Sequence, residues 1–371
     1  MAINIKMVQN KSELKTFIMF QWEVYKGDSI WVPPLIADRK KILNKEKNPF
    51  FEHAEADYFL AYKDGKLMGR IAGIVNRLHN EIHEDKVGFF GFFECFNDQE
   101  VANALFDTVR EWLKKRGIDA MRGPANPSVN DEYGMLLEGF NDSPRLLMTY
   151  NPKYYTNLCD NYGFAKAKDL YAYKLDSDKL LATDKLKRGA EIAAKRAGMT
   201  LRELNMKDFQ NELKKIKVIY NKAWEKSWGF VPLTDKEIDA LAADLKPIVE
   251  PGLVLFGEIN GEPIGFSLTM LDYNQVFKNM NGRLFPNIYK LWTQKKNINW
   301  ARVIILGIIP EYQKRGLDAS FYWDIMMRAR KMNIMRGEAS WILEDNMMMN
   351  RGAELMKGDI YKKYRVYEKA I

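Results

Sequence analysis

The stretch RVIILGIIPEYQKRGLDASFY, residues 302–322, joins an apolar run to a basic, glycine-containing corner and then to a helical pattern. The run from 300 to 309 has the composition of a buried strand, and Pro310 ends its hydrogen-bond ladder. The apolar spacing from 319 to 333 predicts a helix. The segment therefore predicts a strand, a tight corner and a helix in succession.

Free backbone N–H groups and the positive end of a helix dipole face such a corner. Gly316 allows the backbone to approach a ligand closely, and Lys314 and Arg315 add positive charge. Together these features suit a pyrophosphate. The alternative is a glycine that starts the helix, with the two basic residues only solvated.

An internal duplication lies outward from this segment. YFLAYKDGKLMGRIAGIV (58–75) and VLFGEINGEPIGFSLTM (254–270) both read as two strands joined by a turn, at Asp64-Gly65 and at Asn260-Gly261. Each hairpin is followed by an amphipathic helix and a short strand, at 104–123 and at 319–340. We therefore predict two copies of one unit.

The predicted fold class is α/β (α+β), with two domains that each contain a mixed, mostly antiparallel central sheet flanked by helices. The boundaries are 1–175 for the first domain and 199–371 for the second. Residues 176–198, rich in Lys, Arg and Ala, predict a basic linker helix.

The composition of the chain favours some classes of function and argues against others. The chain has 371 residues, 47% of them hydrophobic, and a net charge of +8, which favours a polyanionic partner such as a phosphate-bearing cofactor, a membrane surface or nucleic acid. Two distant cysteines, Cys95 and Cys159, argue against a disulfide scaffold or a cysteine zinc site. The N-terminal residues lack a signal-peptide pattern, so a cytoplasmic protein is expected.

Residues 300–358 resemble the cofactor-binding core of the GNAT acyltransferase superfamily. The family pattern after the fourth strand reads here as Gln313, Lys314, Arg315, Gly316, Leu317 and Asp318. Asp318 stands where a small residue is usual, and Ala319 follows one place late. The resemblance implies acetyl-CoA or a longer acyl-CoA as co-substrate and transfer of the acyl group to an amine.

The resemblance covers most of the chain as a tandem of two GNAT-like domains. WVPPL (31–35), GRIAGIVN (69–76), RGPANPSVNDEYG (122–134) and KAWEKSWGFVPLT (222–234) look like segments of bacterial tandem GNAT proteins, a group associated in part with N-acylation of sphingoid bases. In the first copy, residues 91–106 carry acidic side chains and no basic loop. We expect that copy to hold no pyrophosphate.

The family's chemistry implies roles for individual residues. Backbone N–H groups near Gly307 and Ile308 would meet the oxyanion, and Gly307 is consistent with a β-bulge. Glu344 and Asp345 are candidate proton acceptors. The family's usual Tyr has no match near 353, so Tyr361, Tyr364 or Tyr367 would have to replace it as proton donor to the thiolate. The alternative is that no general acid is present, since a thiolate can leave without one. Further cofactor contacts are expected from Ala319 and Asn346, although Asp345 and Asn346 also suit a helix cap.

The acceptor side is predicted from aromatic and polar residues. Trp224 and Trp228 fall where GNAT proteins build that side of the cleft, and they favour a bulky or lipidic amine. In GPANPSVNDEYG, Asn126, Asn130 and Glu132 are candidates to contact the acceptor, with Glu132 in a catalytic role; a hydrogen-bonded structural loop is the alternative.

No metal is predicted. His79 and His83 stand four residues apart in a segment that we interpret as polar throughout, which favours an exposed loop or helix over a metal site.

Two other functions stay open at this point: a tRNA-dependent aminoacyl transferase of tandem GNAT-like type, and a non-catalytic module that binds RNA or anionic lipid. The expected partners are acyl-CoA and an amine. Contact with the inner face of the membrane stays open, and nucleic acid is not expected.

Overall fold

The computed structural model describes residues 2–181 and 184–371. The chain forms two compact units, each discontinuous in sequence. Unit 1 consists of residues 1–170, 277–289 and 362–371, and unit 2 of residues 171–276 and 290–361.

Unit 1 begins with strand β1 and ends in the first half of β9. Its elements are β1 Ile3–Met7, α1 Lys11–Val24, α2 Ile36–Ile42, a 3₁₀ turn Pro49–Glu52, β2 Ala54–Lys63, β3 Lys66–Asn76, α3 Arg77–His83, β4 Val87–Cys95, α4 Gln99–Lys114, β5 Ala120–Gly123, β6 Ala125–Asn126, β7 Glu132–Tyr133, β8 Met135–Glu138, α5 Tyr155–Tyr162 and β9 Ala165–Asp176.

After residue 170 the chain builds unit 2, apart from residues 277–289 and 362–371, which belong to unit 1. The elements that follow β9 are α6 Ser177–Leu181, α7 Lys185–Ala197, β10 Met199–Glu203, α8 Phe209–Ala223, α9 Asp235–Leu245, β11 Val254–Ile259, β12 Glu262–Leu271, α10 Asn274–Phe277, α11 Leu284–Asn287, α12 Lys290–Thr293, β13 Trp300–Ile308, α13 Asp318–Lys331, β14 Arg336–Leu343, α14 Met347–Leu355 and β15 Asp359–Ala370, with 3₁₀ turns at Met206–Asp208, Lys246–Ile248, Pro251–Leu253, Lys278–Met280, Lys295–Asn297 and Pro310–Tyr312.

The strands of the two units follow the same plan. In unit 1 the order is β1-β2-β3-β4-β5-β15, with β4 and β5 parallel and the other pairs antiparallel. In unit 2 the order is β9-β14-β13-β12-β11-β10, with β13 and β14 parallel. Each sheet is mixed and mostly antiparallel, as the sequence predicted.

The duplication is confirmed at the level of register. Gly69 pairs with Cys95 in unit 1, and Gly265 pairs with Ile308 in unit 2. Both hairpin turns have the left-handed backbone that their sequences predicted, with φ of 52° at Asp64 and 53° at Asn260.

The compact units differ from the predicted boundaries. Residues 171–175, predicted in the first domain, lie in unit 2, and three further segments also differ. The C-terminal residues 362–371 lie in unit 1 because Tyr367–Ala370 pairs with β5. Residues 277–289 also belong to unit 1. The predicted linker forms α6 and α7, apart from residues 182 and 183, which lie outside the described residues. Helix α7 packs in the core of unit 2, where the Ser320 hydroxyl donates to the Ala190 carbonyl at 3.1 Å.

The cores are apolar layers between sheet and helices. In unit 1, α4 covers one sheet face, and the rings of Phe93 and Phe106 stack with centroids 4.7 Å apart. In unit 2, α7 and α13 pack on one face with Val303 and Leu306, while α8 packs with Ile305 on a second cluster.

The expectation of an exposed histidine pair was wrong for one member. His79 is buried in α3, with its ring 4.5 Å from that of His83, and burial lowers its pKa to about 3. The periodicity of the short helix places His79 against Phe89, which the polar neighbours in sequence concealed.

Candidate active site

The central feature of unit 2 is a splay between β13 and β14. Their parallel pairing runs from Trp300–Arg336 to Val303–Ala339 and stops there, although β13 continues to Ile308 and β14 to Leu343. A bulge at Ile304 in the β12–β13 ladder accompanies the separation. The predicted bulge therefore lies at Ile304, not at Gly307, which stays in register with Phe266.

The splay opens a groove edged by backbone. Ile304 and Ile305 on β13, and Ser340 and Trp341 on β14, are partly exposed. Trp341 has φ of +56°, which is unusual for a bulky side chain, and its indole N–H has no hydrogen-bond partner among the described residues. An extended ligand with amide groups could pair with such an edge as an added strand does.

The basic corner follows β13 directly. The 3₁₀ turn Pro310–Tyr312 leads to Lys314 with φ of +61° and Gly316 with φ of +74°, and α13 begins at Asp318. Lys314, Arg315 and Gly316 are exposed. A Cβ on Gly316 would meet nothing closer than the Ala193 Cβ at 3.8 Å, so the space beside this glycine is open.

Two members of the predicted cofactor motif brace the corner itself. The Gln313 amide donates to the Ile308 carbonyl at 2.8 Å. The Arg315 guanidinium donates to the Glu311 carbonyl at 2.8 Å and lies 5.0 Å from the Tyr312 ring centre. The corner is thus held by its own side chains, and the side chain of Lys314 is exposed beside it.

Asp318 faces the N–H groups that start α13. Burial raises the pKa of its carboxyl, although hydrogen bonds from the backbone N–H groups of Asp318 and Ala319 act in the opposite direction. The carboxylate therefore competes for part of the helix N-terminus that a phosphate would use.

The predicted acceptor aromatics meet the end of β13. A Cβ on Gly307 would lie 2.3 Å from the Trp224 ring, so glycine is required for this contact. The Trp224 ring also lies 5.1 Å from that of Tyr220. Trp228, in the loop after α8, is half-buried. The structure thus brings Trp224 together with Gly307, and the roles of Trp224, Trp228, Gly307 and Ile308 remain predictions.

A buried polar cluster lies at the closed end of the splay. Arg302 on β13 and Glu338 on β14 are register partners, and both are fully buried. The Arg302 Nε lies 3.4 Å from Glu338 Oε1 and 2.8 Å from the Ser340 hydroxyl. The Tyr361 hydroxyl donates to the other Glu338 oxygen.

Sequence reasoning singled out Tyr361, whose catalytic role remains a prediction, and it missed Arg302 and Glu338. The available signal was their charge inside the apolar strands WARVIILGI and RGEASWIL, because a charged residue is rarely buried without a partner.

The residues after β14 lie in a turn. Asp345 is exposed and Glu344 is half-buried. Asn346 caps α14, where its side-chain oxygen accepts from the Met349 N–H at 3.2 Å. The capping role foreseen for Asn346 is therefore present.

The corresponding splay in unit 1 is filled by the chain. The parallel pairing of β4 and β5 ends at Phe89–Arg122, while β4 continues to Cys95. A Cβ on Gly91 would lie 1.8 Å from the Ala125 carbonyl oxygen. The Asn126 side-chain oxygen accepts from the Phe92 N–H at 2.5 Å. Residues 125–126 thus occupy the opening, and we call them the plug.

Unit 1 has a buried ion pair at the strand position that corresponds to Gly307 of unit 2. Glu94 has the register position of Gly307, opposite Arg70. It accepts from the Gln21 amide and the Tyr155 hydroxyl, both at 2.7 Å, and its oxygen lies 3.6 Å from Arg70. Burial raises the pKa of Glu94 and lowers that of Arg70 to about 10.

The polar loop of unit 1 is engaged internally. Glu132 forms an ion pair with Arg39, and its second oxygen accepts from the Asn126 amide at 3.3 Å. The Asn130 N–H donates to the Ser128 hydroxyl at 3.1 Å. These contacts fit the structural alternative for the loop, and an acceptor role for Asn126, Asn130 and Glu132 remains a prediction.

At the N-terminus of α4, Asp98 accepts from the N–H groups of Glu100 and Val101 and pairs with Lys63 at 2.6 Å. An acidic cap replaces the basic corner there. Across residues 2–181 and 184–371, no group of three or more His, Cys, Asp or Glu side chains could hold a metal ion. None of the helices in these ranges is long and apolar enough to cross a membrane.

Two curated relatives match the whole chain. The bacterial ceramide synthase of Caulobacter vibrioides is 35% identical over 382 aligned residues, which cover 100% of this chain and 98% of that protein. Protein YghO of Escherichia coli is 32% identical, with 99% and 95% covered. No protein-family model matches.

Among solved structures, a tandem GNAT protein from the clavulanic acid biosynthesis pathway aligns with a TM-score of 0.56 at 10% identity. The alignment covers 100% of this chain and 98% of that protein, which establishes the tandem fold. Together with the sequence relatives, it shows that the chain belongs to the family of the bacterial ceramide synthase and is a tandem GNAT N-acyltransferase.

Proposed function

We propose that this enzyme transfers a long-chain acyl group from acyl-CoA to the amine of a sphingoid-type amino alcohol, with the acyl-CoA bound to unit 2. The observation that carries the proposal is the open splay between β13 and β14, which leads directly to the corner at Lys314–Gly316. Support for the acceptor comes from the relative named a ceramide synthase.

The acyl-CoA would extend along β13 and turn at the corner. Its amide groups would pair with backbone edges from Ile304 to Ile308. The pyrophosphate would meet the N–H groups near Gly316 and Ala319, with charge from Lys314 and Arg315. Asn346 would contribute at most a peripheral contact, because its side chain caps α14.

The reaction joins the amine nitrogen to the thioester carbonyl carbon and breaks the C–S bond, releasing CoA thiolate. Backbone N–H groups near Gly307 and Ile308 would stabilise the oxyanion. The Trp224 ring against Gly307 would form the acceptor wall and keep water away from the carbonyl.

Two sets of groups are candidates for the proton leaving the amine. Glu344 and Asp345 at the end of β14 remain the predicted direct acceptors. The second candidate is Glu338, through Tyr361. The amine would attack in its neutral form, and as the C–N bond forms the Tyr361 hydroxyl would take one N–H proton while it passes its own proton to the Glu338 carboxylate. Tyr361 would then return a proton to the thiolate, so that the enzyme ends unchanged.

Binding and chemistry can be tested separately. CoA, acetyl-CoA and palmitoyl-CoA should each raise the melting temperature, because a ligand that binds only the folded state adds about 2.7 kcal/mol at a hundredfold excess over Kd. We expect the largest shift for palmitoyl-CoA. No shift with any of the three would contradict the acyl-CoA site.

The acceptor is tested by product analysis. With palmitoyl-CoA, mass spectrometry should detect the N-acyl product of sphinganine and none of a small polar amine such as glucosamine. The reverse preference would overturn the sphingoid assignment while leaving the acyl-CoA site intact.

For the proton path, Tyr361→Phe should lower kcat about 10² to 10³-fold with little change in the Kd for CoA. Glu338→Gln should do the same, because it removes the carboxylate that accepts from the Tyr361 hydroxyl. Loss of activity in Glu344→Gln and Asp345→Asn, with normal activity in Tyr361→Phe, would assign the base to the end of β14 instead.

A further inference from the structure

The connection between β12 and β13 differs sharply from its counterpart in unit 1. There, residues 77–86 join β3 to β4 through α3. In the second copy the chain runs from Asp272 to Asn299 before β13 begins. We call residues 278–297 of this connection the insertion segment.

Large aromatic side chains are exposed in the insertion segment. Phe285 is 73% exposed, Tyr289 54% and Trp292 69%. Among the residues that the structure describes, no other aromatic side chain is strongly exposed. Such a concentration marks an interaction surface, because single exposed apolar residues are common but a cluster of aromatic ones is not.

The charge of the same segment has one sign. Residues 273–299 contain Lys278, Arg283, Lys290, Lys295 and Lys296 and no Asp, Glu or His. Arg283 and Lys296 are exposed. The segment thus combines aromatic rings with positive charge and lacks any carboxylate that would repel an anionic surface.

Both ends of the segment are anchored, each within its own unit. In unit 1 the Trp22 indole N–H donates to Asn281 at 2.9 Å, and the Ile36 N–H donates to the Gly282 carbonyl at 2.9 Å. In unit 2 Lys295 pairs with Glu250. The exposed aromatic residues between these anchors are therefore presented by an ordered stretch of chain.

We propose that the insertion segment docks the enzyme on an anionic phospholipid bilayer, with Phe285, Tyr289 and Trp292 in the interfacial layer and the basic side chains at the headgroups. Amphipathic rings favour the membrane interface, and lysine and arginine beside them gain from anionic lipid. A bilayer fits better than a protein groove because the patch combines high exposure with uniform positive charge. The inference goes beyond the proposed reaction, and its test needs no catalysis.

The test is co-sedimentation of the full-length protein with vesicles. Vesicles of equal phosphatidylglycerol and phosphatidylcholine should bind the protein, pure phosphatidylcholine much less, and 0.5 M salt should weaken the binding. Phe285→Ser with Trp292→Ser should reduce the partition constant at least tenfold. Arg283→Glu with Lys296→Glu should reduce it at least twentyfold, since each lost charge near the surface accounts for about a fivefold change.

Matched controls use exposed residues of unit 2 that lie outside the insertion segment. Ile192→Ser with Val218→Ser removes exposed apolar side chains, and Lys185→Glu with Lys187→Glu reverses exposed charges on α7. Both should bind vesicles like wild type. Equal losses in test and control variants, or no binding of wild type to the anionic vesicles, would overturn the proposal. The melting temperature with palmitoyl-CoA should be unchanged in all four variants, which separates this result from a failure of the acyl-CoA site.

Discussion

The two splayed strand pairs show how one scaffold can keep or lose a ligand groove. In both units the fourth and fifth strands of the domain pair in parallel for three or four residues and then separate. In unit 2 the edges stay partly exposed, whereas in unit 1 the Ala125 carbonyl and the Asn126 side chain fill the opening. The groove is therefore lost through occupancy by the chain, while the sheet that forms it is retained.

The two units also carry different residues at one equivalent strand position. Gly307 in unit 2 accommodates the Trp224 ring against the backbone, whereas its counterpart Glu94 carries a buried carboxylate beside Arg70. A buried ion pair of this kind stabilises little by itself but is costly to break. Unit 1 has thus replaced a surface for a ligand with an internal polar network.

The largest expected effect is at the corner of unit 2. Gly316→Asp should reduce CoA affinity at least a hundredfold, because it places a carboxylate against the phosphate groups at a position with φ of +74°. Isothermal titration with CoA measures the change. Gly261→Asp, at another open glycine with φ of +82°, should leave affinity unchanged. Normal CoA binding by Gly316→Asp would remove the phosphate from this corner.

A second prediction tests whether the plug is rigidly seated in the opening between β4 and β5 of unit 1. Gly91→Ala should lower the free energy of unfolding by about 3 kcal/mol, because its Cβ would collide with the Ala125 carbonyl and the backbone would have to move. Urea unfolding measures this loss. Gly189→Ala on α7, where a Cβ meets nothing within 4 Å, should be neutral or slightly stabilising. If Gly91→Ala retained wild-type stability, the plug would not be rigidly seated.

Glu132→Gln tests whether the loop beside the plug has a use beyond structure. Loss of the ion pair with Arg39 should cost about 2 kcal/mol of stability. If the loop also contacts the acceptor, Glu132→Gln and Asn130→Ala should raise the acceptor KM or lower kcat, while CoA affinity stays near wild type. Unchanged acceptor parameters in both variants would leave the loop a structural element.

Much of the fold was readable from the sequence, because its signals are local. Asp64-Gly65 and Asn260-Gly261 require left-handed turns, and the flanking alternation fixed two hairpins in one register. The corner was readable for the same reason: Pro310 and Gly316 act on their own backbone.

Long-range features were not readable. No local pattern shows that Tyr367–Ala370 pairs with β5, since strand partners are chosen by packing of the whole sheet. The pairing of Glu338 with Arg302 and Tyr361 likewise depends on which strands become neighbours. His79 was misjudged because the polarity of its neighbours says little about which side of a short helix is buried.

A smaller effect is expected from the carboxylate in the corner. Asp318→Ala should tighten CoA binding a few-fold, because it removes a negative charge near the N-terminus of α13. The raised pKa of Asp318 means that its ionised form is disfavoured in the folded protein, so the variant should also be more stable above that pKa and lose this advantage as the pH falls. Glu311→Ala, an exposed carboxylate in the preceding turn, serves as the control. Weaker binding by Asp318→Ala would show that the carboxylate orders the corner rather than opposing the phosphate.

The smallest effect is expected at Asp98, the acidic counterpart of the corner in unit 1. Burial raises the pKa of Asp98, but hydrogen bonds from Lys63 and from the N–H groups of Val101 and Glu100 outweigh it, so the pKa is lowered. An acid with a lowered pKa stabilises the fold above its unfolded pKa and loses that contribution as the pH falls through the folded value.

Asp98→Ala should therefore cost about 1 kcal/mol at pH 7, typical of a lost helix cap, and progressively less below pH 4. CoA affinity should be unchanged, as it should be for Glu100→Ala, whose carboxylate is the more exposed partner of Lys63. A marked change of CoA affinity in Asp98→Ala would mean that the α4 terminus takes part in cofactor binding. The contrast between an open and a plugged splay would then no longer describe a division between a binding and a non-binding copy.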